Sequence, residues 1–402
     1  MAGVVIIGAG HAAGQAAASL RQAKYEGPIT LVGDEPHIPY QRPPLSKAYL
    51  KGSQEADKVY LRGEKFYADK QIDLKLGVFA TAIDRQNKKI SLATGETLDY
   101  EHLLISTGSR PRKLSIAGSD LPGIHYLRTM DDVDGIRDGM QPGANLVIVG
   151  GGYIGLEVAS VGIELGLNVH VLEMEERILQ RVTTAEMSAY YHNLHSTRGV
   201  HIHTETGVTG FSGDGKVEQV LCGDRSFAAD IVIVGIGIIP NVELAEEAGL
   251  KCDNGIVVDQ HCRTSDPFIY AAGDCCNHPN PLLKRRLRLE SVPNAMDQAR
   301  VSTANMLGDE KIYAAIPWFW SDQYELKLQM VGFSADGDSQ VVRGDMASDQ
   351  FAVFYLKDGA VVAADAVNSP KEFMLCKQLI GKQADPAVLA DTAADLKSLL
   401  TA

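Results

Sequence analysis

Two copies of one local pattern constrain this chain more than any other feature. Val4–Ile7 is an unbroken β-branched run, as in a buried parallel strand. It leads directly into Gly8-Ala9-Gly10-His11-Ala12-Ala13-Gly14 and an Ala-rich helical stretch to about Ala23; a second strand, Ile29–Gly33, ends on Asp34-Glu35. The pattern returns as Leu146–Val149, then Gly150-Gly151-Gly152-Tyr153-Ile154-Gly155, a helix to about Leu165, and a strand Asn168–Leu172 ending on Glu173. The chemistry explains the spacing. Gly8 allows a tight turn, Gly10 lets backbone come close to a pyrophosphate, and Ala13 and Gly14 let helix pack on strand, with the helix N-terminus facing the phosphates. An acid ending the second strand accepts hydrogen bonds from ribose hydroxyls. One Gly-rich loop is weak support for a nucleotide site. Two, each between strand and helix and each followed by an acid, predict two dinucleotide sites and electron transfer between them, with FAD plus a nicotinamide as the common pair.

A chain of 402 residues is long enough for two or three domains with cores of their own. The N-terminus enters VVIIGAG with no charged leader, and the most apolar region, Asn145 to Leu167, is interrupted by Gly150–Gly152 and carries Glu157 and Glu164. No membrane span is expected, and a cytoplasmic location is. A formal net charge of −13 argues against a general nucleic-acid surface. Six cysteines without a C-x-x-C spacing predict buried, reduced thiols rather than a disulfide scaffold or zinc site; only Cys275 and Cys276 are neighbours. His192, His195, His201 and His203 offer no helix-spaced metal pair, and His201 and His203 alternate on one strand face, where exposure is expected; no metal is predicted.

Beyond the two loops, Ser106-Thr107-Gly108-Ser109-Arg110-Pro111, Gly235-Ile236-Gly237 with Pro240-Asn241, and Ala272-Gly273-Asp274 together resemble the two-dinucleotide flavoproteins of the glutathione reductase type. More specific are Arg42-Pro43-Pro44-Leu45-Ser46-Lys47, Glu290-Ser291-Val292-Pro293-Asn294-Ala295 and Pro317-Trp318-Phe319-Trp320-Ser321-Asp322-Gln323. These resemble the FAD-dependent NADH:ferredoxin reductases of bacterial oxygenase systems, from Val4 to about Gln378. The resemblance implies an α/β fold with two Rossmann-like dinucleotide-binding domains and a small α+β C-terminal domain. It places a discontinuous FAD domain at 1–110 and 239–315, an inserted NAD domain at 111–238, and the C-terminal domain at 316–402. Thr107-Gly108 and Gly235–Gly237 would be the crossovers.

For FAD, the resemblance implies roles for the Gly8 loop with Ala12, for Asp34 or Glu35 on the adenosine ribose, and for Arg42, Lys47, Ala80, Thr107, Gly108, Arg128, Asp274 and Val292. Ala80 would act through backbone alone. For NADH it implies the loop Gly150, Gly152, Tyr153, Ile154 and Gly155, then Glu157, Glu173 and Gly235-Ile236-Gly237. Glu157 by itself reads as a first-turn acid favourable to the helix dipole. In relatives the matching acid lies near the nicotinamide and pairs with the flavin-side lysine, here Lys47. Glu290, Ser291 and Trp320 resemble further residues of the nicotinamide pocket, although Trp320 reads equally well as core filling. Lys47, Glu157 and Trp320 are the catalytic candidates. Stacked rings make positioning matter more than acid–base chemistry.

The resemblance implies a [2Fe–2S] ferredoxin as electron acceptor, one electron at a time, feeding a haem monooxygenase of the camphor-hydroxylating type. The reductase component of an aromatic-ring dioxygenase is the alternative, since the motifs do not separate the two. A third reading is an NADH-sensing interaction flavoprotein resembling apoptosis-inducing factor. A disulfide reductase would need a redox cysteine pair after the first helix, and no cysteine precedes Cys222. Lys284-Arg285-Arg286-Leu287-Arg288 is the densest basic run; Arg285, Arg286 and Arg300 are docking candidates, while Gln329 stands where the family has a basic residue. A monomer or weak dimer is expected.

Overall fold

The computed structural model describes residues 2–400. The chain divides into two compact units, one comprising residues up to 42, 55–110 and 238–317, the other 43–54, 111–237 and 318 onward.

The first unit is built on a seven-stranded sheet. Its parallel part runs Ile72–Leu76, Ile29–Gly33, Gly3–Ile7, the end of Thr97–Ile105, then Ile269–Ala271. All five residues of Gly3–Ile7 are buried, which is why the strand carries no polar alternation. The antiparallel extension, Ala80–Asp84 and Lys89–Leu92, continues from the same Thr97–Ile105 strand. Helix His11–Gln22 packs on Val292–Met306, burying Ala12, Ala13, Ala16 and Ala17 against Ala295 and Ala299. The alanines let the two helices approach closely, a contact beyond the helix-on-strand packing read from the sequence.

The second unit repeats the architecture. His201–His203, Asn168–Leu172, Asn145–Val149, Ile231–Val234 and Ile124–His125 form a parallel sheet in that order. A meander of Gly210–Ser212, Gln219–Cys222 and Arg225–Ala228 accompanies it. From Trp318 the pattern changes to a five-stranded antiparallel sheet: Trp318–Gln323, Leu326–Gly332, Ala360–Val367, Gln350–Lys357, Ser339–Asp345. Helix Pro370–Leu379 covers it. This sheet shares a core with the parallel-sheet fold, where Leu156, Met187 and Tyr191 pack among Leu328, Phe351 and Val353. Compactness therefore separates two bodies, with the C-terminal sheet and the 111–237 fold in one of them. The segment Pro43–Gln54 belongs to that second body as well, although it lies between stretches of the first in sequence.

No helix among the described residues is long and apolar enough to cross a membrane.

Candidate functional site

The two Gly-rich loops have the same local geometry. Gly8 has φ +115°, and a Cβ there would stand 2.2 Å from the Ser106 carbonyl oxygen; Gly150 has φ +109°, and its Cβ would stand 2.5 Å from that of Gly235. Only glycine tolerates both demands. The second glycines differ in kind. A Cβ at Gly10 or Gly152 would meet nothing within 4 Å. Each is the N-cap of a twelve-residue helix, His11–Gln22 or Tyr153–Glu164, and neither helix has a side-chain cap. The first-turn N–H groups have no intrahelical partners, and the space beside each N-cap glycine is open, which suits phosphate oxygens. Gly14 packs where a Cβ would press on Pro39, and Gly155 where it would strike the Gly150 carbonyl. The residues present fit a dinucleotide in each unit.

Ala12 is buried in the first helix, Ala80 begins a strand, and Val292 is the first residue of its helix. Thr107 Oγ1 donates to the Asn241 carbonyl at 2.7 Å, and Gly108, with φ +65°, leads into Ser109–Pro111, which pairs with Ile238–Pro240. Asp274 is half-buried in the turn after Ile269–Ala271, and Ser109 Oγ donates to it at 2.8 Å. At the end of Ile29–Gly33 the two acids separate. Glu35 takes Arg42 Nη2 at 2.6 Å and the Tyr40 hydroxyl at 2.5 Å, while Asp34 is exposed. Arg128 directly precedes a capping box formed by Thr129 and Asp132.

In the second unit, Glu173 accepts from the Gly151 N–H at 2.7 Å and from the Glu175 N–H at 3.0 Å, so its carboxylate is fixed at the rim of the loop. Met174 beside it is 73% exposed. Arg177 is turned away, donating to the Thr184 and Gln180 carbonyls at 3.2 Å each. Tyr153 donates to Met330 Sδ at 2.9 Å and stacks edge-on with Phe319, whereas Ile154 is exposed. Gly235 and Ile236 are partly buried and Gly237 is exposed, with φ +101°.

Glu157 departs from the expectation of a first-turn acid. Because the helix starts at Tyr153, Glu157 lies in the second turn, is 2% exposed, and owes nothing to the dipole. Lys47 Nζ reaches its Oε2 at 2.6 Å. Ser46 Oγ donates to the same oxygen at 2.5 Å and Ser321 Oγ to Oε1 at 2.7 Å. Lys47 also donates to the Pro43 carbonyl, so the Pro43–Ser46 turn fixes the lysine from behind. A buried carboxylate with one cation and two hydroxyl donors is fully compensated; it would be costly without them. Ser46 and Ser321 sit inside the motifs quoted above, yet nothing local in the sequence marks them as partners of Glu157. Trp320 lies half-buried in the same unit, opposite Gln329, its ring 5.8 Å from that of Trp318.

Ser291 caps its helix by accepting from the Asn294 N–H, and exposed Glu290 forms an ion pair with Arg288 at 2.7 Å; both belong to the first unit. The basic run is a strand, Arg285–Arg288. Arg286 is tied down, with Nε on Asn277 Oδ1 and Nη2 on the Val258 and Asn277 carbonyls. Arg285 is exposed, and exposed Arg300 pairs with Asp297 at 2.5 Å. All six cysteines are free, five are buried, and burial raises the Cys275 and Cys276 thiols. His201 is exposed, but His203 and His170 are only half so and share a hydrogen bond at 3.1 Å. Among the described residues no group of three or more His, Cys, Asp or Glu is placed to hold a metal.

Residues 2–299 match the family model described as pyridine nucleotide-disulphide oxidoreductase, and 318–400 match that described as reductase C-terminal. The chain therefore belongs to the pyridine nucleotide-disulphide oxidoreductases, and within them to the FAD-dependent ferredoxin reductases of oxygenase systems. It is 46% identical to putidaredoxin reductase of Pseudomonas putida, over 99% of this chain and 97% of that protein. It is 43% identical to the ferredoxin–NAD(+) reductase component of the anthranilate 1,2-dioxygenase system of Burkholderia cepacia, over 98% of each. The crystal structure of the covalent putidaredoxin reductase–putidaredoxin complex contains a chain that superposes with a TM-score of 0.96 at 45% identity, covering 100% of this chain and 98% of that one.

Proposed function

We propose that this protein takes a hydride from NADH onto FAD and delivers single electrons to a [2Fe–2S] ferredoxin serving a haem monooxygenase. The carrying observation is the pair of glycine-framed, uncapped helix N-termini, one per unit, each followed by a strand ending on an acid. Bound FAD supplies the chemistry that converts a two-electron donor into single electrons. The chain's own residues bind and orient. In this reading 1–110 with 239–315 holds FAD, 111–238 holds NADH, and 316–402 is the C-terminal domain. The Gly8 and Gly150 loops receive the pyrophosphates. Asp34 takes the FAD ribose, because Glu35 is already engaged by Arg42 and Tyr40. Asp274, held by Ser109, accepts from the ribityl chain or faces the phosphates. Glu173 accepts from the NADH ribose. Lys47 and Glu157 hold compensated charge beside the reacting rings, and Trp320 helps to wall the nicotinamide.

A dioxygenase system is the second reading, favoured by relatives from such systems at comparable identity and coverage. Cytochrome c reduction with a panel of purified ferredoxins separates the two. A ferredoxin from a haem-monooxygenase system should give the highest kcat/KM; a dioxygenase ferredoxin at least tenfold better would transfer the assignment to the second reading.

A further inference from the structure

His195 has no part in the hydride chemistry described so far, yet it is completely buried in helix Ala185–Thr197. It is the middle of a string of side chains ending on Glu157, all in the second unit. Tyr324 Oη lies 3.1 Å from His195 Nδ1, and His195 Nε2 lies 2.8 Å from Gln323 Oε1. Gln323 Nε2 then donates to Ser321 Oγ at 3.1 Å, and Ser321 Oγ donates to Glu157 Oε1 at 2.7 Å.

The hydrogen positions follow from the acid end outward. A carboxylate paired with lysine can only accept, so Ser321 gives it its one proton and must accept from the Gln323 amide nitrogen. That turns the amide oxygen toward His195, whose Nε2 must carry hydrogen. Nδ1 is then an acceptor, and the Tyr324 hydroxyl must be its donor. Burial holds His195 down to about 4, so the imidazole is neutral at working pH and protonation does not scramble this order. Every bond in the string therefore donates toward Glu157. At its outer end the Arg198 guanidinium lies 4.3 Å from the Tyr324 ring centre and pairs with Glu325.

Glu157, Ser321, Gln323 and His195 are each at most 2% exposed. The neighbouring core is Leu, Met, Phe, Tyr and Val. Apolar side chains of similar volume would fill such a space at lower cost than an imidazole, an amide and a hydroxyl. Aligned hydrogen bonds in a low-dielectric interior polarise one another in the direction of donation.

We propose that Tyr324, His195, Gln323 and Ser321 are positioning residues for the Lys47–Glu157 pair. Their donors hold Oε1, so that Oε2 is presented to Lys47 and Ser46 in one fixed geometry. The inference rests on the reading that this pair acts on bound FAD. It is tested by comparing Ser321→Ala and His195→Phe with Ser321→Thr, which keeps the hydroxyl, and with Glu157→Gln and Lys47→Met. The readouts are the midpoint potential of bound FAD by dye equilibration, the NADH Kd, the limiting rate of flavin reduction and the unfolding midpoint. Ser321→Ala and His195→Phe should shift the potential in the same direction as Glu157→Gln and slow the limiting rate about tenfold, with NADH Kd within about twofold, as loss of a positioned dipole requires. Ser321→Thr should restore both. If Ser321→Ala and His195→Phe lower only the unfolding midpoint, while Glu157→Gln still moves the potential, the string is packing alone and the proposal is overturned. If Glu157→Gln and Lys47→Met also leave the potential unchanged, the assignment of the pair to FAD fails first, and the proposal falls with it.

Discussion

Asp274 accepts a hydrogen bond from Ser109, and the proposed function places it against FAD. Asp274→Ala should therefore lose FAD. Loss of a hydrogen-bonded charged acceptor is worth about 1.5–3 kcal/mol, or roughly ten- to a hundredfold in affinity, read as flavin retained on gel filtration. Full occupancy in the variant would remove this residue from the site. Asp365 makes the opposite kind of case. It is buried in the second unit, accepts from Thr183 Oγ1 at 2.9 Å and Tyr355 Oη at 2.8 Å, and burial pushes it up to about 6. Its folded pKa lies above its unfolded value, so its contribution to stability is complete below about pH 4 and disappears as pH rises through 6. Asparagine keeps the accepting oxygen without the charge. Asp365→Asn should be more stable than the parent at pH 8 by on the order of 1–3 kcal/mol, and should lose that advantage at pH 4. Equal pH dependence of the unfolding midpoints in the two proteins would contradict this.

At the scale of elements, the proposed NADH site makes the loop following Asn168–Leu172 the place where the choice between NADH and NADPH would be made. Glu173 is fixed by two backbone N–H groups, Glu175 and Glu176 add negative charge, and Arg177 is committed to the Thr184 and Gln180 carbonyls. A 2′-phosphate beside Glu173 would meet these acids, with Arg177 committed elsewhere. NADH should exceed NADPH in kcat/KM by tenfold or more, since loss of the charge-assisted ribose contact costs about 1.5–3 kcal/mol; equal values would show that this loop does not discriminate. The strands and helices around both Gly loops were legible because each is contiguous and has one period throughout. Gly3–Ile7 and Asn168–Leu172 fall within a residue of the sequence reading. The membership of Pro43–Gln54 in the second unit was not read, although the Lys47–Glu157 contact that joins it there, 110 residues apart, was expected from the resemblance. His195 carries no local signal of its role, since its partners Gln323 and Tyr324 are 128 and 129 positions distant. The anchoring of Arg286 was equally hidden, because an exposed basic run reads the same whether or not one guanidinium is tied to Asn277, nine residues back.

For the whole molecule, a net charge of −13 leaves the protein to recognise its partner through local rather than global attraction. Arg285, Arg286 and Arg300 are all exposed, but Arg286 is tied to Asn277 and the Val258 carbonyl, which leaves Arg285 and Arg300 as the members to change. Changing both to Glu should lower ferredoxin-dependent cytochrome c reduction several-fold and flatten its salt dependence, while ferricyanide reduction by NADH stays unchanged. Unaltered ferredoxin rates would place docking elsewhere. Electrons that enter this protein as a hydride should leave singly to an iron–sulfur protein. The most direct test is to reduce the FAD-loaded protein anaerobically with NADH and mix it in a stopped-flow cell with an oxidised [2Fe–2S] ferredoxin. NADH should bleach the flavin band, and two equivalents of ferredoxin should then be reduced per flavin as that band returns. A long-lived reduced flavin–NAD complex that passes no electrons to any [2Fe–2S] ferredoxin tried would contradict this, and would identify an NADH-responsive binding protein instead.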